Sequence, residues 1–429
     1  MMNILVLGSG GREHAFATKL NQSEICDELF VAPGNAGTAS IAQNIAISPE
    51  NFDSVAKFAI ENNIEMIVVG PEAPLVAGVR DYFESNEQLK NIKIVGPGKL
   101  GAQLEGSKDF SKEFMEEFDI PTARYKTFTQ ANIDEALAYI DTMTAPVVLK
   151  ADGLAAGKGV IIAETLDEAK DSIKEMLLEQ KFGEASSKVV IEEFLKGIEL
   201  SVFVLTDGKD YIILPEAKDY KRIGEQDTGL NTGGMGAVSP VSFAPGEFID
   251  KVENKVVKPT IKGLQARNID YVGFIFIGLM NVDGEPFVIE YNVRMGDPET
   301  QVVLPRITSD FGKLLWDTAS KKLGDSEYET DPQIATTVVM VAGGYPESYA
   351  KGKEISGLES TSQAEIFHAG TKIQDGNIVT NGGRVLAITG KGENLQEALK
   401  NSYDTVNNIS WEDVYFRKDI GQDLLKLEK

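Results

Sequence analysis

The sequence holds one cysteine, two histidines and two tryptophans in 429 residues. The lone cysteine, Cys26, cannot close an internal disulfide, and a chain this long can rely on apolar burial instead. Cys26 sits in a short apolar stretch and reads as an inert core residue rather than a nucleophile. With only His14 and His368 available, a histidine-rich metal centre is excluded. Positive charge is scarce too: 42 Lys and Arg stand against 66 Asp and Glu, a net charge of −24. That deficit excludes broad nucleic-acid binding, which needs a basic face to release counterions, and docking on anionic membranes. No apolar run approaches the ~20 residues of a membrane span. The opening residues MMNILVLGSGGREHA lack a basic leader and read directly as a strand. Together with the missing cysteines, this points to the cytoplasm.

The rest is ordinary globular composition, 42% hydrophobic and 25% charged. At ~100–200 residues per domain, the length predicts roughly two to four domains. Short apolar runs at Ile4–Leu7, Leu29–Val31, Met66–Val69 and Ile92–Val95 alternate with helical patterns after Gly11 and Ser54. Such alternation implies an α/β fold with a parallel sheet. The texture changes at GPGKLGAQLEGSKDF, which places a boundary near Gly101–Ser107. Further strands are expected at Arg124–Thr127, Pro146–Lys150, Val160–Ala163, Val189–Glu192, Leu200–Thr206 and Tyr211–Leu214, then a long polar loop from Pro215 to Gly236. Phe274–Asn281 and Phe287–Asn292 flank an Asp-Gly pair, a hairpin signal. A strand-rich part begins near Ile334.

Three segments carry chemistry. In NILVLGSGGREHA, a strand runs through glycines into a helix start, where free backbone amides suit an anion. Gly8 and Gly10 fit a dinucleotide fingerprint, but Glu13 occupies its third glycine position and argues against NAD. The loop then binds another ligand's phosphate or is simply a tight turn. Glu72 follows the strand Met66–Val69 at the sheet edge where ligands bind in such folds; it suits sugar hydroxyls or an amine, or merely a helix N-terminus.

In APVVLKADGLAAGKGV, a strand ends in Lys150, and Gly153, Gly157 and Gly159 surround Lys158 before the next strand. A tip this free of side chains can fold over a triphosphate, with Lys150 on the phosphates and Lys158 over the last one. A Walker A loop is rejected: the spacing is one residue short and Gly159 replaces the hydroxyl. Downstream, the strand ending in Glu192-Glu193, with Phe194 and Leu195, can offer its backbone to an adenine edge, and Glu199 can meet a ribose.

In VIEYNVRMGDPETQ, Glu290 and Asn292 stand at i, i+2 and share a strand face. These hard oxygens suit Mg²⁺ and not zinc. Arg294 and Asp297 follow and can hold a phosphoryl group or a carboxylate. Asp219 and Lys221, on the polar loop, suit a zwitterionic substrate.

LGSGGREHA, GPEAPL, LEGSK, KADGLAAGKGV, DYKR with NTGGMG, and GDPETQ occur in an order and spacing that resembles the glycinamide ribonucleotide synthetase (phosphoribosylamine–glycine ligase) family. The resemblance runs from Asn3 to beyond GGRVLAITG at 382–390. It implies an ATP-grasp fold with an N-terminal Rossmann-like domain over 1–105, an ATP-grasp domain over 106–325 with a lid-like subdomain near 124–195, and a small strand-rich C-terminal domain over 326–429. It implies ATP-dependent ligation of glycine to 5-phosphoribosylamine through a glycyl phosphate, in purine biosynthesis. By the same resemblance, Glu290 and Asn292 match Mg²⁺ or Mn²⁺ ligands, and Lys108, Lys150, Glu192 and Glu199 match ATP contacts. Gly10, Gly11, Arg12, Glu13, Glu72 and Arg384 match the phosphoribosylamine side, and Arg294 and Asp297 the reacting centre. Leu230, Met295 and Tyr291 depart from the family's usual residues but keep apolar bulk. The strand FIFIGLM lacks the acid many ATP-grasp enzymes carry, so one protein-ligated metal is expected. A monomer is expected, with transient contact to the enzyme that makes the amine.

Overall fold

The computed structural model describes residues 1–154, 159–359 and 363–427. The chain begins with β1 (Met2–Gly8), α1 (Gly11–Asn21), β2 (Cys26–Pro33), β3 (Gln43–Asn44), β4 (Ile64–Val69) and β5 (Lys93–Val95). These strands pair in parallel in the order β3-β2-β1-β4-β5. Ile4 to Leu7 are all buried, as a parallel sheet covered on both faces requires. Cys26 starts β2 half-buried, and burial pushes its thiol up to about 11, so it is no thiolate at neutral pH.

The next unit is the antiparallel sheet β6 (Tyr125–Thr129), β7 (Val147–Ala151), β8 (Val160–Ala163) and β9 (Lys188–Glu193), in the order β6-β9-β7-β8. The helices Ile133–Asp141 and Leu166–Leu177 bury their apolar stripes against it, giving this unit a core of its own.

The third unit contains β10 (Ile198–Thr206), β11 (Tyr211–Asp219), β12 (Arg222–Gly224), β13 (Thr228–Asn231), β14 (Gly236–Ser239), β15 (Gly273–Val282), β16 (Glu285–Asn292), β17 (Ile334–Val341), β18 (Ala364–His368), β19 (Thr371–Gln374), β20 (Asn377–Thr380) and β21 (Arg384–Gly392). Eight of these form one sheet, β16-β15-β10-β11-β14-β17-β21-β18. The C-terminal strands therefore extend the central sheet through β14. Asp283 and Gly284 turn the β15–β16 hairpin with positive φ, as the Asp-Gly signal predicts.

The polar loop expected from Pro215 is partly strand. β11 continues to Asp219, because Pro215 and Glu216 together oppose Val202 in a β-bulge, where the missing N–H of proline breaks no ladder bond. β12 and β13 then pair as a small hairpin. A second bulge lies in β16. Gly278 faces Glu290 and Leu279 faces Val288, so Ile289 is the extra residue. This shift turns Glu290 and Asn292 away from the buried side that Val288 and Tyr291 occupy.

Candidate active site

The first corner forms where the glycine loop before α1 meets the segment after β16. Glu13 is fully enclosed: Oε2 accepts from the Gly10 N–H at 2.6 Å and Oε1 from Arg12 Nε at 2.6 Å. Its side chain lies where a Cβ at Gly8 would be, 2.5 Å from Glu13 Cγ. The acid that spoils a dinucleotide fingerprint thus fills the space that glycine leaves, and caps the helix. Arg12 donates from Nη1 to the Met295 carbonyl at 3.1 Å, and its backbone N–H points at Asp297 Oδ2 at 3.3 Å. Gly10 also faces Asp297, and Gly11 packs on Gln301, which donates to Asp297 Oδ1 at 2.9 Å.

Arg384, at the start of β21, reaches the same place from the C-terminal part. It donates to the carbonyls of Gly233 and Asp297, both at 2.6 Å, and lies 3.4 Å from Asp297 Oδ1. Burial would raise the Asp297 carboxyl, but Arg384 and Arg12 outweigh it and hold it below its ordinary value.

Arg294 links this corner to Asn292 on β16. Its Nη2 lies 2.8 Å from Glu105 Oε1 and 3.2 Å from Asn292 Oδ1, and its Nε 3.4 Å from Glu72 Oε2. Glu72 is held below its usual range: burial pushes it up, and Arg294 and Arg12 overcome that. Glu105, which also accepts from the Val293 N–H at 2.8 Å, is raised, with burial the larger influence.

On the side of Lys108, Lys150 and Lys221, neither oxygen of Glu290 has a hydrogen-bond or ion-pair partner among the described residues. Burial pushes its carboxyl up, yet Lys221, Lys150, Lys108 and Arg294 together hold it below its ordinary value. A carboxylate kept ionised but unpaired, beside an amide oxygen on the same face, fits a hard divalent cation. Among the described residues no group of three or more His, Cys, Asp or Glu forms a larger metal cluster.

Ser107 caps the helix Lys108–Glu117, and Asp152 ties the helix start to the end of β7 by accepting from Ser107 Oγ at 3.0 Å and the Asp109 N–H at 2.8 Å. Lys108 Nζ lies 3.3 Å from the Gly153 carbonyl. Lys150 Nζ donates to the Ile289 carbonyl at 2.9 Å, the group the β16 bulge leaves out of register. Lys221 pairs with Glu199. Burial would lower its ammonium, but Glu199, Asp219 and Glu290 hold it well above its ordinary value. Asp219 is raised by burial and by the Glu199 charge.

Some candidates do not face this space with their side chains. Glu192 has its carboxylate buried between Lys112 and Lys150. Glu193 turns outward to Arg124 Nε at 2.7 Å. Leu195 is half-buried just beyond β9. Gly159 is described and buried, whereas Gly157 and Lys158 lie outside the described residues. Sequence reasoning missed Glu105, Lys112 and Glu299. Glu299 is buried after Asp297, and both burial and Asp219 raise its carboxyl. Glu105 and Glu299 sit inside LEGSK and GDPETQ, and Lys112 is one helical turn after Lys108, so adjacency to a motif was the available signal.

Three family models match the chain: phosphoribosylglycinamide synthetase N domain over residues 2–105, its ATP-grasp (A) domain over 106–300 and its C domain over 335–423. The phosphoribosylamine–glycine ligase of Vibrio vulnificus is 48% identical over 425 residues, covering 98% of each chain. That of Escherichia coli O6:H1 is 45% identical over 434 residues and covers 100% of both. The crystal structure of phosphoribosylamine–glycine ligase from Thermotoga maritima superposes with a TM-score of 0.83 at 35% identity, over 97% of this chain and 99% of that one. The biotin carboxylase domain of Hydrogenobacter thermophilus 2-oxoglutarate carboxylase, solved with MgADP, shares the fold: TM-score 0.73 and 17% identity over 97% and 92% of the two chains. With its glycine loop and its Glu290–Asn292 strand inside the matched ranges, the chain belongs to the phosphoribosylglycinamide synthetase family.

Proposed function

We propose that this chain ligates glycine to 5-phosphoribosylamine, converting ATP to ADP and phosphate and yielding glycinamide ribonucleotide for purine biosynthesis. The observation that carries the reading is one continuous segment, Glu290 to Asp297. It offers an unpaired carboxylate within a field of lysines at one end and meets Arg12 and Arg384 at the other.

In the first step a glycine carboxylate oxygen attacks the γ-phosphorus of ATP and ADP leaves. In the second the amine nitrogen attacks the glycyl carbonyl, phosphate leaves, and the nitrogen gives up a proton. No protein nucleophile is needed; the chain supplies position and charge. Lys108 and Lys150 hold the phosphates, with the Gly153, Gly157, Lys158 and Gly159 tip over them. The strand end at Glu193 and Leu195 takes the adenine and Glu199 the ribose. Asp219 and Lys221 hold the glycine zwitterion. Gly10, Gly11, Arg12, Glu13, Glu72 and Arg384 form the phosphoribosylamine side, Arg294 stabilises the transferring phosphoryl group, and Asp297 orients the reacting amine. Glu290 and Asn292 would hold Mg²⁺ or Mn²⁺, which when bound adds positive charge at the phosphates. The protein works as a monomer in the cytoplasm, touching the amine-producing enzyme only transiently.

The test is a reconstitution with ATP, Mg²⁺, glycine and freshly made phosphoribosylamine. ADP and glycinamide ribonucleotide should appear one for one, and only with all substrates present. ADP release with some other amino acid, and none with glycine, would move the reading to another carboxylate–amine ligase. No product at all would overturn it.

A further inference from the structure

A buried ring of charges joins the lid to the strand that carries Glu290. Val148 on β7 lies opposite Glu192 on β9, so Lys150, two residues on, is a diagonal neighbour of Glu192 on the same lid face. Glu192 Oε1 lies 3.0 Å from Lys150 Nζ, and Oε2 lies 3.2 Å from Lys112 Nζ. The side chains of Lys112, Glu192 and Lys150 are only 2%, 4% and 5% exposed. Lys112 Nζ donates to Thr122 Oγ1 at 2.7 Å, and that hydroxyl donates to the Val288 carbonyl at 2.7 Å. Lys150 closes the ring on the next carbonyl, Ile289. Both ends of the ring thus anchor on β16, immediately before Glu290.

Two ammonium groups share one carboxylate here. Burial pulls Lys112 down to about 8 against the opposing pull of Glu192, so it is charged at neutral pH. With Lys112 in place, each Glu192 oxygen has its own ammonium neighbour, and the carboxylate cannot turn fully onto Lys150. Lys150 then keeps net positive charge and a fixed direction. Without Lys112, Glu192 and Lys150 become a neutral pair, with only the bond from Lys150 to the Ile289 carbonyl left to fix its direction.

We propose that Lys112 is a positioning residue for nucleotide binding: through Glu192 it holds Lys150 in register with β16 and leaves its charge available to phosphate. This rests on the reading of Lys150 as a phosphate-binding lysine. Lys112 itself touches no substrate.

The experiment compares Lys112→Gln, Lys112→Met and Lys112→Arg in the full chain. It reads MgATP affinity by calorimetry, the KM for ATP, the KM for glycine and kcat. Lys112→Gln removes the charge but keeps a polar end, one bond shorter than that of lysine. It carries the test if Lys112→Met fails to fold by circular dichroism. The expected result is about a tenfold rise in the Kd and KM for ATP in Lys112→Gln, with the glycine KM and kcat at saturating ATP within about threefold. Lys112→Arg should recover most of the ATP affinity. A folded Lys112→Gln that binds ATP like the unaltered protein overturns the proposal. So does an equal loss of ATP and glycine affinity, or a Lys112→Arg as impaired as Lys112→Gln, because each makes the role one of packing. If the unaltered protein binds no MgATP, it is the reading of Lys150 that fails instead.

Discussion

The two halves of the site differ in how much of their charge is already paired. In the corner of Arg12, Glu13, Asp297 and Arg384, every one of these groups has a partner, and the partners come from the N-terminal loop, the segment after β16 and β21. Across the site, among the described residues, Glu290 stands unpaired among four cations, and Lys108 Nζ lies 3.3 Å from one carbonyl. The first half is preorganised by the fold, so a ligand finds its geometry set. The second stores an unneutralised field that anions and a divalent cation would complete. This difference also explains how a chain of net charge −24 can bind phosphates. At physiological salt the Debye length is about 8 Å, so remote surface acids are screened and the local lysines and arginines decide.

The largest effect is expected on the open half. Glu290→Ala should abolish ligation while leaving the circular dichroism spectrum unchanged, because no described residue hydrogen-bonds or ion-pairs with that carboxylate. Normal Mg²⁺-dependent rates in this variant would sink the assignment of Glu290 to the metal and blur the contrast between the halves.

Arg294 tests the boundary between them. Arg294→Ala strips the counter-charge from Glu105, whose side chain is only 7% exposed. Breaking a buried pair from one side costs about 3–5 kcal/mol, moderated here as Glu105 takes up a proton. Turnover should vanish, and the urea midpoint should fall clearly further than for Arg384→Ala, because there Asp297 still accepts from the Arg12 N–H and from Gln301. Equal midpoints for the two variants would show that pairing at Arg294 adds nothing to the fold.

The parallel sheet, the Asp-Gly hairpin and the lid strands are legible in the sequence because each is written in local pattern. β11 was not, since Pro215 ends any strand read one residue at a time, and only the register with β10 reveals the bulge that tolerates it. The site divides the same way. Glu290 and Asn292 share a face by spacing alone, and glycine loops announce themselves. Glu13 reads as a clash until β1 and α1 are placed and its carboxylate is seen capping Gly10. Lys112 with Glu192, and Glu105 with Arg294, are separated by long stretches of chain. No periodicity links such partners, so only packing shows them.

Gly8 sharpens the view of the paired half. Its φ is +127°, and a Cβ there would lie 2.5 Å from Glu13 Cγ and 2.6 Å from Cδ. Gly8→Ala therefore combines backbone strain with displacement of the helix cap and should destabilise by about 2–3 kcal/mol. Gly183→Ala is the control, with positive φ but nothing within 4 Å, and should cost about 1 kcal/mol. If chemical denaturation gives the two the same loss, Glu13 is not packed as described.

The smallest effect concerns acid. His14 on α1 accepts the His368 N–H at Nδ1, 2.8 Å away, and so fastens the helix behind the glycine loop to β18. Burial lowers His14 to about 3, with His368 adding to the fall, and burial lowers His368 to about 4. Both rings are neutral in the fold, whereas the unfolded chain takes up protons below about 6.5. Their contribution to stability is therefore complete above that pH and is lost as pH falls through 6.5 toward the folded values. Each ring then forfeits about 1.4 kcal/mol by pH 5.5. Thermal melts should drop between pH 7 and 5. His14→Asn keeps an acceptor for the His368 N–H but does not titrate, so it should flatten part of that drop. An identical slope in the variant would mean that other groups, and not this histidine pair, set how the paired half responds to acid.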